Sequence, residues 1–140
     1  MRSAVTAPEP VSRTFSANEL GAAGLRTFSR IATAWELTVD EQLNLLGNPP
    51  RSTYFAWRKT PAKASLSRDT LERLSNILGI YKSLQILLPE PEAADGWVRK
   101  PNAAPLFGGR SALDRMLAGN SSDLHLVRRY LDSARGGGWS

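Results

Sequence analysis

Arg51, Arg58, Lys59, Lys63, Arg68, Arg73 and Lys82 stand between positions 49 and 82 with only Asp69 and Glu72 against them. That local excess of +5 equals the net charge of the whole 140-residue chain. Residues 1–48 carry four basic and five acidic groups, and residues 83–140 carry seven and six. Cations grouped in this way suit a polyanion, because neutralising phosphates releases condensed counterions. A basic face that is merely solvated has the same composition. The groups that perform covalent chemistry are scarce. Without cysteine there is no disulfide, thiolate nucleophile, cysteine-ligated zinc or iron–sulfur cluster. His125 is the single histidine, too few for a Ser-His-Asp triad or a multi-histidine metal site within one chain, and it reads as a surface or half-buried polar group. The sequence has no paired carboxylates, glycine-rich phosphate loop or metal-ligand spacing, and Gly108-Gly109 alone is not a nucleotide fingerprint. The expectation is therefore no catalytic residue, no metal and no cofactor.

A chain of this length holds one domain or two very small ones, and its 41% hydrophobic residues support a compact core of modest size. No apolar run approaches the ~20 residues that cross a bilayer. Met1-Arg2-Ser3-Ala4-Val5 is too polar for the core of a signal peptide, so a cytoplasmic protein is expected.

The elements that must position the basic residues follow from periodicity and caps. The first ~15 residues, with Pro8 and Pro10, read as a flexible arm. Ser16 to Glu19 fits a capping box opening a helix over about 17–36, with Leu20, Leu25, Phe28, Ile31 and Trp35 on its inner side. Thr38 to Glu41 is a second capping box, for a short helix stopped by Gly47. Asn48 is the expected cap of the next helix, 51–59, which ends before Pro61. Ser67 caps a long helix over about 67–88, with Leu71, Leu74, Leu78 and Tyr81 as its seam. Pro89 and Pro91 end it, and residues 90–96 read as a connection. A short helix over 111–118 closes at Gly119, and a last helix with Leu124, Val127, Leu131 and Ala134 in register leads to the tail Gly136 to Ser140. No alternating run predicts a sheet, so the class is all-α.

The helices around the Gly47 turn have the lengths of a helix-turn-helix. In the second of them Tyr54 and Trp57 face inward, leaving Ser52, Phe55, Ala56 and Lys59 outward. Arg51 occupies the first turn, where a recognition helix meets base edges, and arginine there can pair with guanine. Ser52 and Phe55 share that reading face, while Arg58, Lys59 and Lys63 are placed for phosphates. A plain helical hairpin fits the same residues, and an outward Phe55 and Ala56 fit a protein contact as well as base readout.

Downstream, Trp97…Pro101-Asn102…Phe107-Gly108, then Leu113-Asp114…Gly119…Val127…Tyr130-Leu131, resembles the toxin-binding domain of the Xre/MbcA/ParS antitoxin family. Pro50-Arg51-Ser52-Thr53-Tyr54-Phe55-Ala56-Trp57-Arg58-Lys59 is similar to that family's Xre-like helix-turn-helix. The resemblance covers about residues 20–136. Ala112 stands where the family usually has proline before Leu-Asp, and the glycine-rich end with Trp139 is not a general family feature.

The resemblance implies the antitoxin of a type II toxin–antitoxin system with no enzymatic activity of its own. Family members neutralise RES-domain toxins, which resemble ADP-ribosylating enzymes and degrade NAD or transfer ADP-ribose. Many also repress their own operon through the helix-turn-helix and dimerise. The implied partners are a RES-domain toxin, operator DNA and a second copy of the chain, with no membrane. The implied organisation is an arm over 1–15, an Xre-like domain over 16–88 and a toxin-binding domain over 89–140. Within the latter, Trp97 and Phe107 complete a small core. The last helix would dock on the toxin through Leu124, Arg128, Tyr130 and Arg135. Gly137, Trp139 and Ser140 would then thread toward the toxin's NAD site, a tryptophan on a glycine lead being a workable plug for a cofactor pocket. A frayed tail is the plainer reading of the same residues. Without the family resemblance, a stand-alone helix-turn-helix regulator whose second half dimerises also fits.

Overall fold

A computed structural model describes residues 17–138. The arm over 1–15, Ser16, Trp139 and Ser140 lie outside the described residues. Among those described, the regular elements are helices: α1 (Ala17–Ala34), α2 (Val39–Leu45), α3 (Arg51–Lys59), α4 (Arg68–Leu87), α5 (Pro91–Gly96), α6 (Ala112–Met116) and α7 (Ser121–Ser133). Short 3-10 turns at Pro61–Lys63 and Trp97–Arg99 and a π-helical turn at Ala134–Gly138 complete it. Extended pairing is limited to one isolated bridge between Pro101 and Ser111. The all-α expectation holds.

The caps explain most boundaries. Thr38 accepts from the Glu41 amide while Glu41 accepts from the Thr38 amide, the reciprocal pair expected from the sequence. Ser67 caps α4 by accepting from the Thr70 amide, and Ser111 caps α6 by accepting from the Asp114 amide. That serine cap starts α6 without the proline usual to the family, and Ala112 is instead buried. Asn48 does not cap α3. It sits at φ +60° in the turn behind α2, its amide bonded to the Leu43 carbonyl, and Pro50 is the residue before the helix. Residues 91–96 are a helix and not a bare connection, because Pro91 in its first turn gives up no hydrogen bond. α1 ends at Ala34, two residues short of expectation, where Glu36 takes φ +55°. Leu20, expected inward, is 55% exposed.

The interior is one hydrophobic cluster to which both halves contribute: Phe28, Ile31, Trp35, Leu45 and Tyr54 from before α4, and Val98, Met116, Leu124, Val127 and Leu131 from after it. α4 lies between them, against α1 on one flank and α7 on the other. Its buried surface is accordingly wider than the predicted seam. Leu74, Ile77, Ile80 and Leu84 are buried, whereas Leu71, Leu78 and Tyr81 are only half-buried. α7 runs beside α4 in the same direction, with Arg128 donating to the Ser75 carbonyl and Ser83 donating to Asp132. Gly79 makes the close approach possible, since a Cβ there would meet the Arg128 guanidinium within 2.6 Å of Cζ.

Leu131, fully buried on α7, tests the shared core. Leu131→Ala is expected to cost about 2–5 kcal/mol in urea unfolding, and fluorescence of the buried Trp35 on α1 should lose its native signal in the same transition.

Candidate functional site

α2 and α3 pack through a buried polar contact. The Tyr54 hydroxyl donates to Gln42 Oε1 at 2.6 Å, and Gln42 Nε2 donates to the Leu37 carbonyl at 3.0 Å. With Tyr54 inward and Trp57 half-buried, the opposite side of α3 presents Arg51, Ser52, Phe55, Ala56 and Lys59 to solvent. The structure therefore brings together the residues expected on the reading face. Arg51 is not free there. Its Nη2 lies 2.7 Å from Asp40 Oδ1 at the start of α2. Arg58 lies over the Tyr54 and Phe55 rings, 5.9 and 5.8 Å from their centroids. Lys59 and Lys63, the latter on the 3-10 turn after α3, are exposed and have no acidic partner among the described residues. Local geometry thus leaves cations available for an anionic backbone.

The second candidate surface is built on α7. Trp97, Phe107 and Tyr130 form an aromatic triad: Phe107 stands edge-on to both other rings at 5.8 and 5.2 Å, and Trp97 stacks on Tyr130 at 6.4 Å. The loop from Pro101 to Ser111 is held across itself by the Asn102 amide to the Arg110 carbonyl and the Gly109 amide to the Asn102 carbonyl. Gly108 at φ +59° and Gly109 at φ +87° make that turn, which side chains would strain.

The expected contact residues on α7 separate into different roles. Leu124 is fully buried in the chain's own core, because it shares the inner stripe with Val127 and Leu131, so it is not an outward contact. Arg128 folds over Gly79 onto α4, and Arg135 Nη1 reaches the Ser83 hydroxyl at 3.4 Å. Both are turned toward α4. Tyr130 is half-buried in the triad. Gly137 falls in the π-helical turn that prolongs α7, so residues 134–138 coil rather than run out as an open lead. The exposed side of α7 is instead His125, Leu126 and Arg129, with Leu126 38% exposed.

Three polar side chains that sequence reasoning missed fasten the two surfaces together. Arg99 donates to the Trp35 and Glu36 carbonyls and to Glu41 Oε1, each at 2.9 Å, closing the end of α1 and the capping box of α2. Asn44 on α2 donates to the Leu117 carbonyl at the end of α6. Arg73, only 9% exposed on α4, pairs with Asp69 at 2.8 Å and donates to the Gly119 carbonyl at 3.1 Å. Gly47 in the α2–α3 turn abuts that pair, a Cβ there lying 3.0 Å from Asp69 and 3.1 Å from Arg73. Arg99 lies inside the Trp97…Asn102 motif, a signal of importance that spacing could not translate into a partner.

Burial pushes the Tyr54 phenol above its usual 10.0, with the Arg58 guanidinium pulling it back in part. Near neutral pH the phenol is protonated in folded and unfolded chains alike. Above about pH 10 the unfolded chain releases its proton first, so stability falls as pH rises toward the folded value. An ultraviolet titration of the folded protein should contain a phenol step above the ordinary tyrosine range. Tyr54→Phe should remove that step and, by leaving Gln42 Oε1 without its donor, cost about 1–3 kcal/mol in urea unfolding at neutral pH.

Comparison with known proteins agrees with this division into two surfaces. Residues 15–79 match the family described as the antitoxin Xre-like helix-turn-helix domain, and residues 83–137 match the antitoxin Xre/MbcA/ParS C-terminal toxin-binding domain. The chain is also similar to "Uncharacterized protein y4oB" of Sinorhizobium fredii (strain NBRC 101917 / NGR234), with 52% identity over 115 residues covering 82% of this chain and 86% of the relative. With the helix-turn-helix before residue 80 and the aromatic triad and α7 after it, the chain belongs to the Xre/MbcA/ParS family of antitoxins.

Proposed function

We propose that this antitoxin neutralises a RES-domain toxin that consumes NAD or transfers ADP-ribose, by docking α7 beside the toxin's active site, and that it represses its own operon through α3. The observation that carries the toxin reading is the match of residues 83–137 to a toxin-binding domain, a stretch that ends in an outward apolar and cationic face. Leu126 and Arg129, exposed beside the half-buried Tyr130, are the proposed docking side. Leu124 packs beneath as its support, and Arg128 and Arg135 hold α7 on α4. Beyond the π-helical turn, Trp139 and Ser140 are the residues proposed to reach the NAD site. The indole would fill the slot that takes a flat heteroaromatic ring. Burying it contributes about 3 kcal/mol, less the entropy of ordering the glycines.

The operator reading rests on the outward cations of α3 and of the turn after it, which supply phosphate contacts while Arg51 and Ser52 face the base edges. The Gly47 turn fixes the angle between α2 and α3 that a helix-turn-helix needs to enter the major groove. Two such half-sites require two copies of the chain, so a homodimer on DNA forms part of the proposal.

Deleting residues 136–140 is expected to weaken inhibition of the toxin about tenfold or more, while circular dichroism and the urea midpoint stay close to wild type. Inhibition as strong as that of the full chain would end the plug proposal. Arg51→Ala combined with Lys59→Ala should abolish binding to the chain's own promoter fragment in a mobility-shift assay and leave toxin neutralisation in a growth assay untouched. Wild-type affinity should itself fall steeply as salt is raised.

A further inference from the structure

Phosphate binding leaves one feature of α3 unused. Phe55 is 41% exposed in the midst of Arg51, Arg58 and Lys59, an odd place for a phenyl ring unless something apolar meets it. With 3.6 residues per turn, Ser52, Phe55, Ala56 and Lys59 share the arc opposite the buried Tyr54. Phe55 and Ala56 therefore lie within the surface that enters a groove, and not at its rim.

The ring is also held. Tyr54 stands beside it with centroids 5.7 Å apart at 48°, and Tyr54 is itself buried and hydrogen-bonded to Gln42. The Arg58 guanidinium lies over one face of the ring, 5.8 Å from its centroid. A phenyl group fixed by a buried neighbour loses little entropy on contact. The charges around it select the partner. An apolar protein groove would have to desolvate three cations to reach the ring. Duplex DNA meets Arg58 and Lys59 with phosphates and Arg51 with a guanine edge, and on the floor of the major groove it offers one apolar group, the C5 methyl of thymine.

We propose that Phe55, with Ala56 beside it, reads thymine methyl groups in the major groove of the operator, making it a specificity-determining residue of the recognition helix. This rests on the operator-binding reading above. The operator then carries a thymine next to the base pair that Arg51 addresses, and the contact discriminates by an apolar surface where the neighbouring cations supply only position.

The experiment compares two versions of the duplex upstream of the chain's own gene. One contains thymine, and the other has uracil at every thymine position, which removes the methyl and keeps the pairing. Wild type should bind the thymine duplex about fourfold more tightly for each methyl engaged. Phe55→Ala should bind both duplexes alike, and Phe55→Leu should keep part of the preference. Circular dichroism of each variant confirms that it is folded. Equal wild-type affinity for the two duplexes overturns the methyl reading and leaves operator binding standing. A preference undiminished in Phe55→Ala overturns it too, because the methyl then acts through DNA shape or another residue. Binding to neither duplex at low salt overturns operator binding itself, and the methyl reading falls with it.

Discussion

The buried guanidinium of Arg73 is the constraint on which both halves of the molecule depend. A charge taken out of water is tolerated only where it is paired and hydrogen-bonded. Here Asp69 on the same helix supplies the charge, and the Gly119 carbonyl from the α6–α7 loop supplies the second acceptor. The α2–α3 turn closes over this pair at Gly47, where φ of +90° would strain any side chain and a Cβ would crowd both Asp69 and Arg73. Thr70, one residue beyond Asp69, donates to the Leu46 carbonyl in the same turn. The turn that sets the angle of the helix-turn-helix and the loop that starts α7 thus share one anchor on α4.

That anchor makes the antitoxin a single mechanical body. α7 packs along α4, and α4 holds the α2–α3 turn, so α3 and α7 are displayed in a fixed relation without a linker between them. Asn44 adds a bond to the Leu117 carbonyl at the same end of α2, and Arg99 repeats the arrangement at the other end by binding the Trp35 and Glu36 carbonyls. A mutation on this seam would disturb both surfaces, whereas one on the outer face of α3 or α7 should disturb only its own.

The helices were legible in the sequence because their signals are local. Capping boxes, glycine stops and proline breaks depend on neighbours three or four residues away, and Thr38, Ser67 and Gly119 behave as their spacing predicts. The outward face of α3 was legible for the same reason, one inward tyrosine fixing the register of nine residues. What failed was long-range. Leu124 was read as a contact on α7, yet it belongs to the inner stripe that α4 covers. For Arg128 and Arg135, expected at a partner, periodicity does not reveal the contacts they make within the chain, one at the Gly79 notch and the other at the Ser83 hydroxyl. The fasteners Arg73, Asn44 and Arg99 join residues 46 to 73 positions apart. Asn48 failed for a subtler reason: its left-handed conformation ends α2, which removes it from the cap of α3.

The pairing of Arg51 with Asp40 bears on the proposed binding of α3 to an operator. Both side chains are more than half exposed, so the pair contributes about 0–1 kcal/mol at most, and releasing Arg51 to a guanine costs little. Released, however, it leaves the Asp40 carboxylate at the start of α2, where a helix-turn-helix meets the backbone of the duplex. One anionic group then faces another, and part of the gain at the base edge is offset by that repulsion. In the proposed complex Arg51 is therefore suited to setting which sequence is bound, by trading a single carboxylate contact for a bidentate guanine edge. Net attraction falls to Lys59, Lys63 and the ring-held Arg58, which have no carboxylate partner among the described residues.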